Sequence, residues 1–302
     1  MKFVTRFAPS PTGPLHLGHA YSAMVAHDLA LAHGGEFLLR IEDIDTERSR
    51  PEWEAQIYDD LDWLGLIWPE PVLRQSDRLN SYGVTLKKLL RRGLIYPCRC
   101  SRKDITEALN APQEGVEHRV GPDGLVYPGT CRASFTRDES TTHIPAGSAI
   151  RLWMFAALQR IVPSPYESEF SFEETGTGPD GETGTITFTG AEVMREIGDV
   201  VLSRRGMGTS YHLSVVLDDA HQGVTHVVRG QDLFDATKIH VVLQKLLGLP
   251  TPIYHHHRLI RDDAGKRLAK RDDARAIRAY RDDGKTPEDI RREVGLIPQA
   301  AA

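Results

Sequence analysis

The stretch RFAPSPTGPLHLGH, residues 6–19, decides the fold of this chain. An apolar run at residues 2–7 leads into it and predicts a short buried strand, whereas its proline- and glycine-rich middle excludes regular structure. Residues 17–33 have a helical pattern without proline, and two glycines stop that helix before a second predicted strand at residues 36–41. Strand, glycine-rich turn, helix and strand in this order form the opening βαβ unit of a nucleotide-binding α/β fold.

The turn itself has the features of an anion site. A helix that begins directly after a turn presents unpaired N–H groups and the positive end of its dipole. Gly13 and Gly18 let the backbone approach a ligand closely. His16 and His19 lie three positions apart, so both project from one side of the first helical turn and can donate hydrogen bonds to phosphate oxygens. Two isolated histidines would more often be incidental surface residues, but within this string they favour a phosphate site.

The composition is that of a globular protein. The 302 residues are 26% charged and 40% hydrophobic, with a formal net charge of −5. The longest apolar runs are far shorter than the roughly 20 residues that span a bilayer, and the N-terminus lacks the apolar core of a signal peptide. We therefore expect a cytoplasmic protein without membrane contact. The acidic balance argues against binding of nucleic acid through bulk charge, which leaves local basic patches.

The remaining sequence continues the α/β pattern around a turn-rich insertion. Residues 96–142 contain all three cysteines, and residues 164–190 are acidic and glycine-rich and are predicted to form a solvated loop or hairpin. Further predicted elements are helices at residues 52–64, 76–92 and 237–247, strands at residues 199–202, 213–217 and 224–228, and a helical start with a frayed tail at residues 274–302. The predicted division is a first half of the core (1–95), an insert (96–190), a second half of the core (191–272) and a short helical C-terminal segment (273–302).

Residues 16–19, HLGH, resemble the HIGH motif of class I aminoacyl-tRNA synthetases, and residues 6–13 resemble the glutamyl and glutaminyl branch of that family. Walker and dinucleotide fingerprints are absent from the sequence. Far downstream, residues 267–271, RLAKR, resemble the KMSKS motif. Lys270 falls on its second lysine, and Arg267 replaces its first and keeps the charge. A mobile cation at this position would close over the triphosphate and stabilise the leaving pyrophosphate.

The resemblance implies both a fold and an ATP site. The fold is an α/β, Rossmann-type class I synthetase core with an inserted zinc-binding, acceptor-like subdomain and a short helical C-terminal remnant. ATP would enter with Mg²⁺ and form an aminoacyl-adenylate. The implied ATP ligands are His16, Gly18, His19, Arg267 and Lys270, of which His16, His19 and Lys270 are the catalytic set.

An amino-acid pocket is expected at the carboxyl edge of the sheet. Glutamate carries two carboxylates and one ammonium, so its site needs cations, an anion and polar groups. Arg6, at the edge of the turn, and Glu42, at the end of the second strand, open at this edge. The resemblance adds a tyrosine and an arginine that grips a carboxylate, and it assigns the substrate ammonium to Glu42. The implied glutamate set is Arg6, Ala8, Ser10, Glu42, Tyr211 and Arg229. Three consecutive histidines, residues 255–257, are interpreted as the edge of this pocket.

A metal site is expected in the insertion. The chain has three cysteines, Cys98, Cys100 and Cys131, and this small, odd number does not suit a disulfide framework. A structural zinc takes four ligands, so the three cysteines would need a fourth. In general metal chemistry histidine is the commoner fourth ligand, which points to His118. The pattern Cys-x-Cys followed by Tyr-x-x-x-Cys instead resembles the zinc site of the glutamyl-queuosine tRNA(Asp) synthetases, and that favours Tyr127. Both candidates stay open on the sequence. The expected stoichiometry is one structural Zn²⁺ per chain.

The resemblance also predicts an activity. The chain ends about thirty residues after Lys270, whereas a full glutamyl-tRNA synthetase continues into a helical anticodon-binding region. We therefore expect a monomer that activates L-glutamate with ATP without needing tRNA and transfers it to queuosine in the anticodon loop of tRNA(Asp). Two alternatives are a truncated glutamyl-tRNA synthetase that charges tRNA(Glu) and a non-catalytic paralogue that only binds tRNA. The intact motif residues argue against the paralogue.

Overall fold

A computed structural model describes residues 2–110, 119–133, 145, 147–261 and 275–297. The strands in these ranges are β1 (Val4–Phe7), β2 (Glu36–Ile41), β3 (Leu73–Arg74), β4 (Ile95–Cys98), β5 (Val120–Gly121), β6 (Gly124–Leu125), β7 (Ala149–Leu152), β8 (Glu169–Glu174), β9 (Gly184–Thr189), β10 (Val201–Ser203), β11 (His226–Gly230) and β12 (Ile253–His257). The helices are α1 (Leu17–Ala32), α2 (Pro51–Trp63), α3 (Leu79–Arg91), α4 (Arg102–Asn110), α5 (Thr130–Ala133), α6 (Met154–Ile161), α7 (Gly190–Glu192), α8 (Tyr211–His221), α9 (Ala236–Leu247), α10 (Ile277–Asp282) and α11 (Pro287–Glu293).

The opening unit has the predicted form. β1 and β2 pair in parallel, with Val4 opposite Glu36. α1 begins at a cap formed by His16 and stops before Gly34, whose φ of 58° is a left-handed conformation that glycine adopts without strain. The proline- and glycine-rich turn therefore runs from the carboxyl end of β1 into the start of α1.

Two sheets meet where β1 lies beside β11. One sheet has the order β1-β2-β3 and the other the order β11-β12-β8-β9; within them only β8 and β9 pair antiparallel. At the junction the N–H of Thr225 donates to the carbonyl of Val4 over 3.0 Å. Further along both strands, Nη1 of Arg6 donates to the carbonyl of Val228 over 3.2 Å. The carboxyl ends of the central strands thus share one edge, which is where ligands bind in such folds.

The acidic stretch at residues 164–190 is a hairpin that joins this second sheet. β8 alternates exposed and buried residues, and it buries Phe170 and Phe172, while β9 buries Phe188. Glu174, at the end of β8, is paired with Tyr254 of β12 and is 2% exposed. Of the two forms predicted for this stretch, the hairpin is the one observed, and its period of two residues carries the aromatic core contacts.

One predicted strand is wrong. Residues 213–217 lie inside the helix α8, whose N-cap Ser210 accepts a hydrogen bond from the N–H of Leu213. A short apolar run does not distinguish a buried strand from a buried helix by periodicity, and α8 is buried on most of its sides. The helical form places Asp218 and Asp219 side by side in the interior, where both become partners of arginines.

A small antiparallel sheet of order β10-β7-β4 joins strands of the insertion to a strand that follows it. Asp199, which precedes β10 and is 3% exposed, joins its parts. Its carboxylate accepts hydrogen bonds from the hydroxyl of Tyr96 at 2.6 Å, from Arg132 at 2.7 Å and from the N–H of Met154 at 2.9 Å. Because a buried carboxylate requires such partners, this one residue fixes the strand that carries Cys98 against the segment that carries Cys131.

The C-terminal segment begins with helices, as predicted. Ile277 of α10 and Ile290 of α11 are fully buried in the cluster that packs on α1 and the first sheet. Arg291 adds a two-pronged ion pair to Asp28 of α1, with N···O distances of 2.6 and 3.0 Å. Among the described helices, none has the length and apolar character that crossing a membrane requires. The division of the chain into four parts stays a prediction.

Candidate active site

A cavity of about 370 Å³ opens at the shared carboxyl edge of the sheets. It is lined by eight of the residues predicted for the ATP and glutamate sites, namely Arg6, Ala8, His16, Gly18, His19, Glu42, Tyr211 and Arg229. Ser10 lines an adjoining cavity of about 150 Å³ that shares Glu42 and Tyr211 with the first. Of the three consecutive histidines predicted at the pocket edge, His257 lines the larger cavity.

The two motif histidines are held by the backbone. The N–H of Gly18 donates to Nδ1 of His16 over 3.1 Å, and the N–H of His16 donates to Nδ1 of His19 over 3.2 Å. A ring nitrogen that accepts from a backbone N–H carries no proton, so each neutral ring has its proton on Nε2. A Cβ at Gly18 would lie 3.0 Å from Cε1 of His16, so the glycine leaves room for this ring. In both imidazoles the donor is therefore Nε2–H.

Buried charges lie beneath the glutamate side of the cavity. Asp219 of α8 accepts from Nε of Arg6 at 3.0 Å and from Nη1 of Arg40 at 2.7 Å. Nη2 of Arg40 donates in turn to Glu42 at 3.2 Å. Two guanidinium groups and two carboxylates thus form one network, and each of the four residues is at most 9% exposed.

The network shifts the pKa of each carboxylate differently. Burial raises the pKa of Glu42 above its ordinary value, and the nearby Arg40 and Arg6 only reduce that effect. Burial also acts upward on Asp219, but the charges of Arg6 and Arg40 hold its pKa below the ordinary value. Glu42 is consequently the carboxylate that gains most from a further cation in the cavity, whereas Asp219 is already neutralised.

Arg229 has a different environment from Arg6. Its guanidinium donates to two imidazoles, His256 Nε2 and His240 Nδ1, both at 3.0 Å. It also donates to the hydroxyl of Thr237 at 2.6 Å and to the carbonyl of Leu233 at 3.1 Å. All four acceptors are uncharged groups. Among the residues that the structure describes, no carboxylate forms an ion pair with Arg229, so its charge is available to a ligand in the cavity.

The residues that support this lining were not predicted from the sequence. Arg40, Asp219, His240 and Glu174 are buried charged or polar groups from four different elements. One signal was present, since Arg40 stands inside the strand predicted at residues 36–41, and an arginine that such a strand buries needs a carboxylate partner. Which carboxylate it meets depends on tertiary packing.

Arg267 and Lys270 lie outside the described residues, but both flanks of their segment reach the cavity. Ile260 lines it on one side. On the other side Ala276 pairs with His16, and the N–H of Ile277 donates to the carbonyl of Leu15 over 2.9 Å. The chain therefore leaves the cavity before the predicted ATP segment and returns to the phosphate-binding turn after it.

The three cysteines form a cluster that can hold a metal ion. The sulfur atoms of Cys98, Cys100 and Cys131 lie within 4.8 Å of one another. The hydroxyl oxygen of Tyr127 lies 3.5 Å from Sγ of Cys98 and 3.4 Å from Sγ of Cys100. It also accepts from the N–H of Cys131 at 2.7 Å. The alternative ligand His118 lies outside the described residues.

The thiols of the cluster ionise unequally, because burial raises the pKa of the Cys100 thiol to about 11 while the Cys131 thiol shifts the other way. Burial alone would raise the pKa of the Cys131 thiol, but hydrogen bonds from Tyr127 and from the backbone of Arg99 bring it down to about 7. The guanidinium of Arg151 lies over the ring of Tyr127, 3.9 Å from its centroid. A thiol that ionises this readily supplies the thiolate that metal ions bind.

The chain is similar to proteins of known function. The family model of class I tRNA synthetases (E and Q), catalytic domain, matches residues 2–153 and 172–299. A glutamyl-Q tRNA(Asp) synthetase of Rhodobacter capsulatus is 60% identical over 293 residues, which cover 97% of this chain and 100% of the relative. A glutamyl-Q tRNA(Asp) synthetase of Geobacter sulfurreducens is 37% identical over 299 residues, which cover 99% of this chain and 82% of the relative.

Solved structures share the fold. A glutamate tRNA ligase from Elizabethkingia meningosepticum, crystallised in complex with its amino acid, matches with a TM-score of 0.74 and 25% identity over 98% of this chain and 61% of that one. This chain therefore spans about three fifths of the length of that structure. A methionyl-tRNA synthetase from Mycobacterium tuberculosis bound by methionyl-adenylate matches with a TM-score of 0.59 and 10% identity over 97% of this chain and 64% of that one, which shows the shared fold alone.

Proposed function

The chain belongs to the class I tRNA synthetases for glutamate and glutamine, within the group of the glutamyl-Q tRNA(Asp) synthetases, and on this premise we propose that it activates L-glutamate with ATP and transfers it to queuosine in tRNA(Asp). The observation that carries the proposal is the charge pattern of one cavity. Glu42 and Arg229 line the same space as the backbone-held pair of histidines. Glu42 and Arg229 suit an amino acid with a side-chain carboxylate, and the two histidines suit a nucleoside triphosphate.

On the glutamate side, each lining residue has a role that its chemistry supports. Glu42 receives the substrate ammonium, because burial has raised its pKa and a cation at close range stabilises its ionised form. Arg229 receives a carboxylate, because its own contacts leave its charge uncompensated. Tyr211 and Ser10 add polar contacts, and Ala8 adds a small apolar surface to the lining. Arg6 is held by Asp219 and presents its remaining N–H groups to the pocket.

On the ATP side, the start of α1 supplies the phosphate ligands. The Nε2–H groups of His16 and His19 donate to phosphate oxygens, and Gly18 allows close approach of the backbone. Lys270 and Arg267 complete the site from the segment whose flanks reach the cavity. ATP enters as its Mg²⁺ complex. A carboxylate oxygen of glutamate attacks the α-phosphorus, pyrophosphate leaves, and the histidines and Lys270 stabilise the charge that develops.

The second step transfers the glutamyl group to tRNA. A hydroxyl of the queuosine cyclopentene ring attacks the carbonyl carbon of the mixed anhydride, AMP leaves, and an ester remains on the nucleoside. Exposed arginines near the insertion can bind the phosphates of an anticodon loop; they are Arg91, Arg92, Arg99 and Arg102. Because tRNA and ATP are cytoplasmic, we place the enzyme in that compartment. Its monomeric state stays a prediction.

In the insertion, we propose one structural zinc bound by Cys98, Cys100, Cys131 and Tyr127. Tetrahedral zinc with Zn–S of about 2.3 Å and Zn–O of about 2.0 Å needs S···S separations of about 3.8 Å and S···O separations of about 3.5 Å. The sulfur atoms of Cys100 and Cys131 lie 3.4 Å apart, and the two S···O distances to Tyr127 are 3.4 and 3.5 Å. The donor set fits zinc, and four protein ligands would leave no position open for chemistry.

Pyrophosphate exchange tests the first step. The purified chain should exchange labelled pyrophosphate into ATP when it is given glutamate and no tRNA. Glutamine should support exchange poorly, because it lacks the charge that Arg229 receives. Exchange with glutamine as fast as with glutamate contradicts the pocket assignment, and exchange that requires tRNA contradicts the proposed independence of tRNA.

The same assay tests the predicted ATP segment. Lys270→Ala should slow exchange by about 10²- to 10³-fold, the typical effect of removing one donor to transition-state charge. Lys87→Ala, which removes an exposed lysine of α3, is the control and should leave the rate near that of the parent. Equal effects of the two substitutions contradict the role of Lys270.

A further inference from the structure

We propose that His256, His240 and Glu174 are positioning residues that aim the guanidinium of Arg229 into the glutamate pocket while leaving its charge uncompensated. The inference rests on the proposed use of Arg229 as the ligand of a substrate carboxylate. Two chains of polar contacts lead from Arg229 to carboxylates at their far ends, and each chain fixes which nitrogen of each imidazole carries the proton.

The first chain runs from Arg229 through β12 to β8. A guanidinium can only donate, so Nε2 of His256, 3.0 Å from Nε of Arg229, must accept. The proton of this neutral ring therefore lies on Nδ1, which donates to Oε2 of Glu174. The other oxygen of Glu174 accepts from the N–H of His256 at 2.9 Å and from the N–H of Gly176 at 2.7 Å. This carboxylate is thus fixed by the backbone and fixes the ring.

The second chain runs from Arg229 through α9 and α8 to the insertion. Nδ1 of His240 accepts from Nη1 of Arg229 at 3.0 Å, so the proton of His240 lies on Nε2. That proton points to Nδ1 of His212, 3.2 Å away. Nε2 of His212 lies 3.5 Å from Oδ1 of Asp123, in the turn between β5 and β6. A residue of the insertion therefore takes part in orienting Arg229.

Neutral imidazoles have an advantage over a carboxylate in this position. Burial lowers the pKa of His240 and of His256, so both rings stay neutral near pH 7. Four of the five N–H groups of Arg229 have uncharged acceptors among the described residues, and the fifth remains for a ligand. Arg6, in contrast, is already paired with Asp219. The arrangement therefore fixes the direction of the Arg229 guanidinium, while no carboxylate of the described residues neutralises its charge.

Glu174→Gln is the sharpest test, because the first chain dictates what it does. The amide oxygen of the new side chain takes the place that receives two backbone N–H groups, so its NH₂ faces Nδ1 of His256. The ring must then accept at Nδ1 and carry its proton on Nε2. This Nε2–H faces the Nε–H of Arg229, so two donors meet and the hydrogen bond is lost. We expect the KM for glutamate in pyrophosphate exchange to rise about tenfold, with the KM for ATP unchanged.

Two further variants separate positioning from folding. Glu173→Gln is the matched control, since this neighbour is exposed and its carboxylate accepts a hydrogen bond from the hydroxyl of Thr185, away from His256. It should behave as the parent. His256→Gln is the conservative rescue, because an amide oxygen can accept from Arg229 as Nε2 does, and it should retain a KM for glutamate closer to the parent than Glu174→Gln.

Nitrogen NMR of the histidine rings gives a readout that does not depend on activity. The ¹⁵N shifts should report a proton on Nδ1 of His256 and on Nε2 of His240 in the parent, and the opposite tautomer of His256 in Glu174→Gln. A parent that shows no glutamate-dependent exchange overturns the proposed function but leaves the tautomers measurable. Active parent enzyme whose tautomers are reversed, or whose KM for glutamate ignores Glu174→Gln, overturns the positioning role.

Discussion

The backbone N–H of His16 donates a hydrogen bond to Nδ1 of His19 over 3.2 Å. This contact caps the first turn of α1 and simultaneously sets the proton of the His19 ring on Nε2. Local structure and chemistry therefore depend on the same atom. The two effects can be separated by substitution, because asparagine and glutamine imitate different nitrogens of histidine.

His19→Asn should keep the cap and lose the chemistry. Its amide oxygen takes the position of Nδ1 and accepts from His16, but the variant lacks a donor at the position of Nε2. We expect exchange to slow by about 10²- to 10³-fold with little change in melting temperature. His19→Gln, which can extend an N–H toward the cavity, is the paired variant and should retain more activity. Equal activity in the two variants contradicts the donor role of Nε2–H.

The lining of the cavity followed from the sequence because its residues adjoin local features. His16, Gly18 and His19 start a helix after a turn, and Glu42 ends a strand, so a short window of sequence places each of them. Tyr211 and Arg229 came from a family resemblance, not from pattern.

The supporting residues could not be found in this way. Arg6 and Asp219 are 213 positions apart in sequence, and Arg40 and Asp219 are 179 apart. The strand predicted at residues 213–217 also gave no reason to expect Asp219 as a partner of both arginines. A strand continued through Asp218 and Asp219 would have placed these two aspartates on opposite faces. The cap at Ser210 was the local signal for a helix.

Glu42→Gln should raise the KM for glutamate and change its dependence on pH. Burial raises the pKa of Glu42, so the carboxylate of the parent is lost as the pH falls through a value above that of an ordinary glutamate. We expect glutamate use by the parent to weaken in this range, and the variant to be weaker at every pH without that acid limb. Steady-state kinetics over a pH series measures it. The exposed Glu47→Gln is the control, and an identical acid limb in Glu42→Gln contradicts the assignment.

Asp219→Asn should destabilise the fold. It leaves Arg6 without a carboxylate and deprives Arg40 of one of two, and breaking a buried pair in this way typically costs about 3–5 kcal/mol. Because the folded pKa of Asp219 lies below its unfolded value, its contribution to stability is present above the unfolded pKa and is lost as the pH falls through the folded one. Denaturant unfolding should give a lower free energy of unfolding for the variant than for the parent, and this difference should become smaller in acid. A difference no larger than that of the exposed Asp62→Asn contradicts the network.

Zinc analysis should find one ion per chain, and its loss should distinguish the two candidates for fourth ligand. Tyr127→Phe removes the oxygen that lies between the sulfur atoms of Cys98 and Cys100, so zinc occupancy should fall when zinc is limiting. His118→Ala should bind zinc as the parent does. Because the metal would stabilise the fold, chelation should lower the melting temperature of the parent. Loss of zinc only in the histidine variant makes the choice of Tyr127 wrong.

The acceptor depends on a surface that the net charge of −5 does not provide. Arg91 is the last residue of α3 and Arg92 follows it, whereas Arg102 is the first residue of α4 and Arg99 precedes it. All four are exposed. Each cation that contacts a phosphate releases counterions, so replacing one with alanine should reduce the salt dependence of tRNA binding by about one ion. Filter binding at several salt concentrations measures this slope.

Labelled glutamate should appear on tRNA(Asp) only when that tRNA carries queuosine. The product would be an ester of the cyclopentene ring, so periodate oxidation of the cyclopentene diol before the reaction should abolish labelling. The matched substrate is tRNA(Asp) from cells unable to make queuosine, which has the same sequence and the same 3′ terminus. Nuclease digestion then locates the label in the anticodon loop or at the terminal adenosine. Efficient labelling of unmodified tRNA(Glu) at its 3′ end makes the queuosine assignment wrong and favours a glutamyl-tRNA synthetase, while leaving glutamate activation intact. Label that appears on tRNA(Asp) with queuosine, and is absent from the otherwise identical tRNA(Asp) without it, supports the proposed acceptor.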